Sequence, residues 1–180
     1  PEMSQGPALS QGLVTVPLNG EGGNIDGFEF SFALDFGLFN DSLAGFGFLG
    51  SASFTSIDIQ DPFGNDITIP GLSEDVYNLT GYYENEHFGV RLSMRNRSDF
   101  LGEVAGFGAG RDFRQVEGNT TLDGQASYFF SGKLTGLTLL FQAYNITDEP
   151  FVTYGNDDTR QVIDYQRYGR SFLLGASYNW

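Results

Sequence analysis

The feature that most constrains this chain is a period of two, repeated in segments about ten residues long. Phe28, Phe30, Phe32, Leu34 and Phe36 alternate with Gly27, Glu29, Ser31, Ala33 and Asp35. The same rhythm places Phe46, Phe48, Ala52 and Phe54 opposite Gly47, Ser51, Ser53 and Thr55. It recurs with Phe88, Val90, Leu92 and Met94, with Leu122, Ala126, Tyr128 and Phe130, and with Leu137, Leu139, Phe141 and Ala143. The final stretch runs Phe172, Leu174, Ala176, Tyr178 and Trp180 on one side and Ser171, Leu173, Gly175, Ser177 and Asn179 on the other. Weaker alternation falls near 12–18 and 76–84. Together these segments predict about eight strands, each with one apolar face, and no helix.

The connections alternate in length. FNDSLAG, ENEH and SGKLTG read as short turns, whereas 57–74, 97–118 and 147–166 read as long, polar loops. Short turns at one end and long loops at the other is the hairpin pattern of an outer-membrane barrel. Ten-residue strands suit a tilted membrane crossing. The polar face carries mid-strand charges (Glu29, Asp35, Arg91, Arg95) as a wet lumen allows, and Tyr and Trp gather near strand ends where aromatic girdles sit. No apolar run nears the roughly 18 residues of a membrane helix, which says nothing against strands that alternate. The expected fold is therefore all-β, an antiparallel up-and-down transmembrane β-barrel. Two other readings accommodate the alternation. One is a small structural eight-stranded barrel. The other is a soluble sandwich or lipocalin-like binding protein that turns its Phe-rich face inward.

Composition narrows the function classes. With 9 basic against 23 acidic residues and a net charge of -14, the chain lacks the basic patch that a phosphate backbone calls for, so no nucleic-acid partner is expected. Zero cysteines exclude thiol chemistry and disulfides, and one histidine excludes a multi-histidine metal site. No nucleophile–base pair stands in a familiar context, so neither an enzyme nor a cofactor is expected. The opening residues 1–10 lack the basic and apolar regions of a signal peptide and read as the leading segment of a fragment.

Several stretches resemble TonB-dependent outer-membrane receptors. Asn145 to Phe151 (NITDEPF) is similar to that family's N-x-T-[DN]-E-P-[FY] element, followed by a Tyr-Gly-Asn cluster and by Tyr168-Gly169-Arg170 leading into an aromatic-ended strand. VPLNGEGGNIDGFEF (16–30) resembles its glycine-rich hairpin, and VYNLTGYYENEHFGVRLSMRNRSDFL (76–101) its Y-N-L-T-x-Y-Y-E strand and R-S-D loop entry. The resemblance spans most of 11–180. It implies the C-terminal portion of a larger barrel, since such transporters have about 22 strands around a plugged lumen. It further implies an outer-membrane lipid environment and uptake of a scarce small solute, carbohydrate favoured over siderophore. It also implies TonB as a partner through an N-terminal part. In the family the terminal strand is read by the barrel-assembly machinery, and Gly175, Tyr178 and Trp180 match its glycine and aromatic positions.

Candidate binding residues follow from the same pattern. Arg91, Arg95 and Arg97 share one strand face and suit an anionic or polar solute, or pairing with Glu29, Asp35 or Asp123. Asp123 and Gln125 lie on a matching face. Tyr154, Asn156 and Asp157 sit in the last long loop beside Tyr165 and Tyr168, where rings and carboxylates suit sugar binding by stacking and hydroxyl hydrogen bonds, or make an ordinary polar outer loop. Acidic residues Asp58, Asp61, Asp66, Glu74 and Asp75 read as a solvated loop, and GFGAGR (106–111) as loop glycines.

Overall fold

A computed structural model describes residues 22–61, 63–105 and 112–180. The expected strand at 12–18, the leading segment 1–10 and the GFGAGR stretch lie outside these residues. Seven strands form one antiparallel meander: β1 (Gly22–Asp35), β2 (Phe46–Gln60), β3 (Asp75–Glu84), β4 (Phe88–Arg97), β7 (Asn119–Phe129), β8 (Leu137–Tyr144) and β11 (Ser171–Tyr178). Between them, β5 (Phe100–Ala105), β6 (Asp112–Val116), β9 (Phe151–Gly155) and β10 (Val162–Gln166) form a second sheet in the order β10-β9-β6-β5. No α-helix occurs among the described residues; the short segments Phe36–Leu38, Asp41–Leu43 and Gly132–Leu134 are single 3-10 turns.

The turn and loop ends separate as the sequence predicts. Short connections join β1 to β2, β3 to β4 and β7 to β8 at one end, and long ones leave from the other. The content of the long connections differs from expectation. Residues 97–118 and 147–166 are not plain loops: each carries a hairpin, and the two hairpins pair through β6 and β9. Their strands are five or six residues long and irregular in register, too short for alternation to show.

Lateral register gathers one alternate set of positions from each wall strand on one face, even-numbered in β1, β2, β4, β7 and β11 and odd-numbered in β3 and β8. Leu34 aligns with Phe48, Gly81, Leu92, Gly124, Ala143 and Phe172, and the next row runs Phe46, Tyr83, Val90, Ala126, Phe141 and Leu174. This face is apolar and largely exposed; Phe28 is 67% and Leu174 81% accessible. The apolar belt is not level in the lattice. It covers Phe28 to Leu34 in β1 but Phe172 to Tyr178 in β11, which is three rows lower. The belt thus slips by roughly one residue per strand, about 3.3 Å along for about 4.8 Å across, so strands crossing a level belt tilt by about 35°, the value typical of barrels.

The belt has sharp limits. Beyond the Phe28–Phe54 pair, β1 and β2 continue but exchange polarity: Asn24, Asp26, Ser56, Asp58 and Gln60 take the formerly apolar face, and Ile25, Ile57 and Ile59 the other. Aromatic contacts mark both borders. Phe28, Phe54 and Tyr77 touch at the loop end, with centroids 5.1 and 5.5 Å apart. Phe46, Tyr83 and Phe88 form a row at the turn end, at 4.3 and 5.4 Å, continued by Tyr128–Phe130 and Tyr178–Trp180.

Two of the turns close with the same device. In each, a 3-10 turn ends in a left-handed glycine whose carbonyl accepts from the next strand: Glu84 N–H to Gly45 O and Asn179 N–H to Gly136 O, both 2.9 Å. A Cβ on Gly136 would lie 2.0 Å from the Asn179 carbonyl oxygen, whereas one on Gly132, also at positive φ, would meet open space. Gly136→Ala is therefore expected to destabilise the protein by about 2–4 kcal/mol, and Gly132→Ala by only about 1 kcal/mol. Denaturant unfolding in micelles, followed by Trp180 fluorescence, checks the difference.

Candidate functional site

The opposite face of the wall is polar, and its register assembles residues far apart in sequence. One row crosses the whole wall: Asp35, Gly47, Tyr82, Arg91, Gln125, Gln142 and Leu173. Toward the loop end follow Thr80, Ser93 and Asp123, then Ser51, Asn78, Arg95 and Thr121. Adjacent members bond laterally: Gln142 Nε2 donates to Gln125 at 3.1 Å, Thr80 and Ser93 share a hydrogen bond at 2.9 Å, and Asn78 donates to Ser51 at 3.3 Å. A ladder of amides and hydroxyls of this kind presents spare donors and acceptors to a polyhydroxylated or charged solute.

The predicted residues fall into distinct roles. Arg91 stands between Tyr82 and Gln125 and, among the described residues, has no ion-pair or hydrogen-bond partner, so its guanidinium is available. Arg95 pairs with Asp123 at 3.4 Å. Arg97 is on the same face but is committed to the rim: Nε donates to Ser73 Oγ at 3.0 Å, and its guanidinium stacks over Phe100 at 3.8 Å. With Gly71 N–H donating to Leu101 O at 2.7 Å, it clamps the 61–74 connection against β5. Arg97 is thus a rim clamp rather than a solute contact.

The last loop also departs from expectation. Tyr154 is only 3% accessible, so its ring offers no stacking face. It packs in the second sheet with buried Leu101, Val116 and Val152, and its hydroxyl donates to Asp99 at 2.7 Å. The other Asp99 oxygen accepts from Gly118 N–H at 2.7 Å. Asn156 and Asp157 have φ of 54° and 58°, the two left-handed centres of a tight turn closed by Asp158 N–H to Gly155 O at 3.0 Å. That turn accounts for their residue types. The neighbouring Arg160 holds the Asp158 carboxyl down to about 2. Of the three tyrosines expected to offer rings here, Tyr165 and Tyr168 are exposed. Asp61 and Asp66 serve their own loop; the Asp61 carboxylate accepts from Phe63 N–H, Asn65 N–H and Asn65 Nδ2.

Gly175, Tyr178 and Trp180 lie on or just beyond β11, which among the described residues pairs only with β8; Gly175 faces Leu140 and Tyr178 faces Leu137. Among the described residues β1 is the other edge. Sequence reasoning missed Tyr82, Asn78 and Gln142 on the polar face and Asp99 and Asn145 at the rim. Parity within a strand would have placed the first three on the right face, but their neighbours are set by register.

Comparison with solved structures finds the ferric citrate transporter FecA in its unliganded form, with a TM-score of 0.62 over 85% of this chain at 18% identity. The likeness is one of fold, that of a β-barrel wall, although the sheets here are open. The chain spans about a quarter (24%) of FecA's length. No protein-family model matches the chain, and no curated protein matches it.

Burial and the adjacent Asp99 carboxylate push the Tyr154 phenol well above its ordinary value of 10.0. The folded state therefore keeps this proton longer than the unfolded chain does. Its contribution is complete below pH 10 and is lost as pH rises beyond it. Limited proteolysis of the second sheet between pH 8 and 11 is expected to accelerate above about pH 10. Tyr154→Phe is expected to flatten that rise and to loosen the sheet by about 1–2 kcal/mol at neutral pH.

Proposed function

We propose that this chain is part of the barrel wall of a TonB-dependent outer-membrane receptor, a transporter rather than an enzyme, with the apolar face against lipid and the polar face lining the lumen. The observation that carries the reading is the two-faced single-layer wall: an exposed Phe- and Leu-rich belt bordered by aromatics on one side and a charged, hydrogen-bonded face on the other. A soluble sandwich would have to cover that belt, and among the described residues nothing does. The FecA-like fold supports a transport role, and the NITDEPF and terminal-strand resemblances support the family.

In this reading the long connections form the outer surface and the short turns face the periplasm. Arg91, the Gln125–Gln142 pair and Tyr82 line the solute's path, and exposed Tyr165 and Tyr168 supply stacking faces at the mouth. Amides, hydroxyls and exposed tyrosines favour a carbohydrate over an iron chelate. β11 pairs with the first strand of the complete barrel, and Gly175, Tyr178 and Trp180 present the assembly signal.

The test uses cells lacking the gene, complemented with the full-length protein. Without the complementing protein, slow growth is expected at limiting concentrations of one oligosaccharide in a panel that also contains iron chelates, a defect reproduced by loss of TonB and reversed by the full-length protein. Arg91→Gln and Gln125→Ala should each reduce uptake about three- to tenfold with normal surface abundance. Recovery of the native protein as a monodisperse species without detergent would sink the membrane assignment.

A further inference from the structure

Asp123 serves two structures at once. One carboxylate oxygen faces the Arg95 guanidinium at 3.4 Å on the polar face. The other accepts from the backbone N–H of Asn145 at 2.9 Å. Asn145 directly follows β8 and takes a left-handed conformation with φ of 53°. Its side-chain oxygen accepts from Glu149 N–H at 2.9 Å, and its side-chain nitrogen donates to Glu149 O at 3.1 Å and Gly169 O at 3.2 Å.

Those partners sit at the two ends of the last long connection. Glu149 leads into β9 of the second sheet, and Gly169 leads into β11 of the wall. The Glu149 carboxylate also accepts from Thr120 N–H on β7 at 3.3 Å. Ile146 reinforces the joint by donating its N–H to Leu122 O at 2.7 Å and accepting from Arg170 Nε at 2.9 Å. One side chain, Asn145, therefore gathers both ends of the connection, and it is seated on the carboxylate that faces Arg95.

We propose that Asp123 and Asn145 are positioning residues that set the outer sheet against the wall, and that Arg95, through the carboxylate it shares, makes the order of that sheet depend on what occupies the polar face. The link to solute rests on the transport reading above; the link between Arg95 and the sheet does not. Arg95 is the open side of the relay, with its side chain 66% accessible against 25% for Asp123. An anionic group arriving in the lumen competes with Asp123 for this guanidinium. Asp123 then loses its counter-charge while it still holds Asn145.

The test is hydrogen exchange by mass spectrometry on the full-length protein in detergent micelles, comparing amides 149–155 with amides 88–94 of β4 as a reference. Asn145→Gly keeps the left-handed backbone and removes the side-chain bonds; it is expected to speed exchange in 149–155 by about tenfold or more. Arg95→Gln and Asp123→Asn should each speed it by about two- to fivefold, and the double variant by no more than either alone, because both break one exposed pair. Arg95→Lys should restore the original rate. Unchanged exchange in Arg95→Gln, or an equal acceleration in 88–94 for all variants, would overturn the proposal. Because no solute or transport step is involved, failure here leaves the uptake reading standing, and failure of uptake leaves this result intact.

Discussion

A single-layer sheet has no interior, and everything in this protein follows from how its two faces are matched to their surroundings. The seven wall strands satisfy their backbone groups laterally, each against its neighbour in antiparallel register. What remains is side-chain chemistry on two faces only a strand thick. One is apolar over a belt that slants at the angle strands need to cross a layer of fixed thickness. The other bonds to itself in rows. The polarity exchange beyond Phe28 and Phe54 shows the same rule on a single hairpin: where the belt ends, the faces trade character while the strand continues. Buried side chains concentrate where two loop hairpins meet, at Leu101, Val116, Val152 and Tyr154, and the wall contributes little beyond Ala143.

The wall was legible because it is regular. Alternation at Phe28 to Phe36, Phe46 to Phe54 and Phe88 to Met94 named strands and faces together, since one period specifies both. The second sheet was not legible. Its strands are short, and β9 is buried along most of its length (Val152 to Gly155), so alternation carries no sign of it. Its pairing of β6 with β9 joins residues about forty positions apart, a contact that local pattern does not encode.

The site divides the same way. Arg91, Arg95, Asp123 and Gln125 were placeable by parity, and all four lie on the polar face. Parity could not distinguish Arg91, with no partner among the described residues, from Arg97, which the 61–74 connection captures, because that capture is a tertiary event. Tyr154 misled for a related reason. A tyrosine among carboxylates in a loop reads as a ligand platform, but Asp99, fifty-five residues earlier, takes its hydroxyl and the second sheet takes its ring. The NITDEPF stretch was noticed by resemblance alone. Its chemistry became visible only when Asn145 was seen holding Glu149 and Gly169 together.

Strand direction bears on how the wall is completed. Successive strands alternate, so β1 and β11, first and seventh in the sheet, run the same way. They cannot pair antiparallel with each other, and closure requires an odd number of strands between them. One added strand would make eight; a wider barrel would add more. The polar face bears on the choice. An eight-stranded barrel is only wide enough for its interior to be filled by side chains. Closing this wall so tightly would bury Glu29, Asp35, Arg91 and Arg95 together, and of these only Arg95 has an ionic partner among the described residues. Burying these charges costs several kcal/mol per ion unless closure pairs each one with good geometry. A wide barrel leaves the same residues wet.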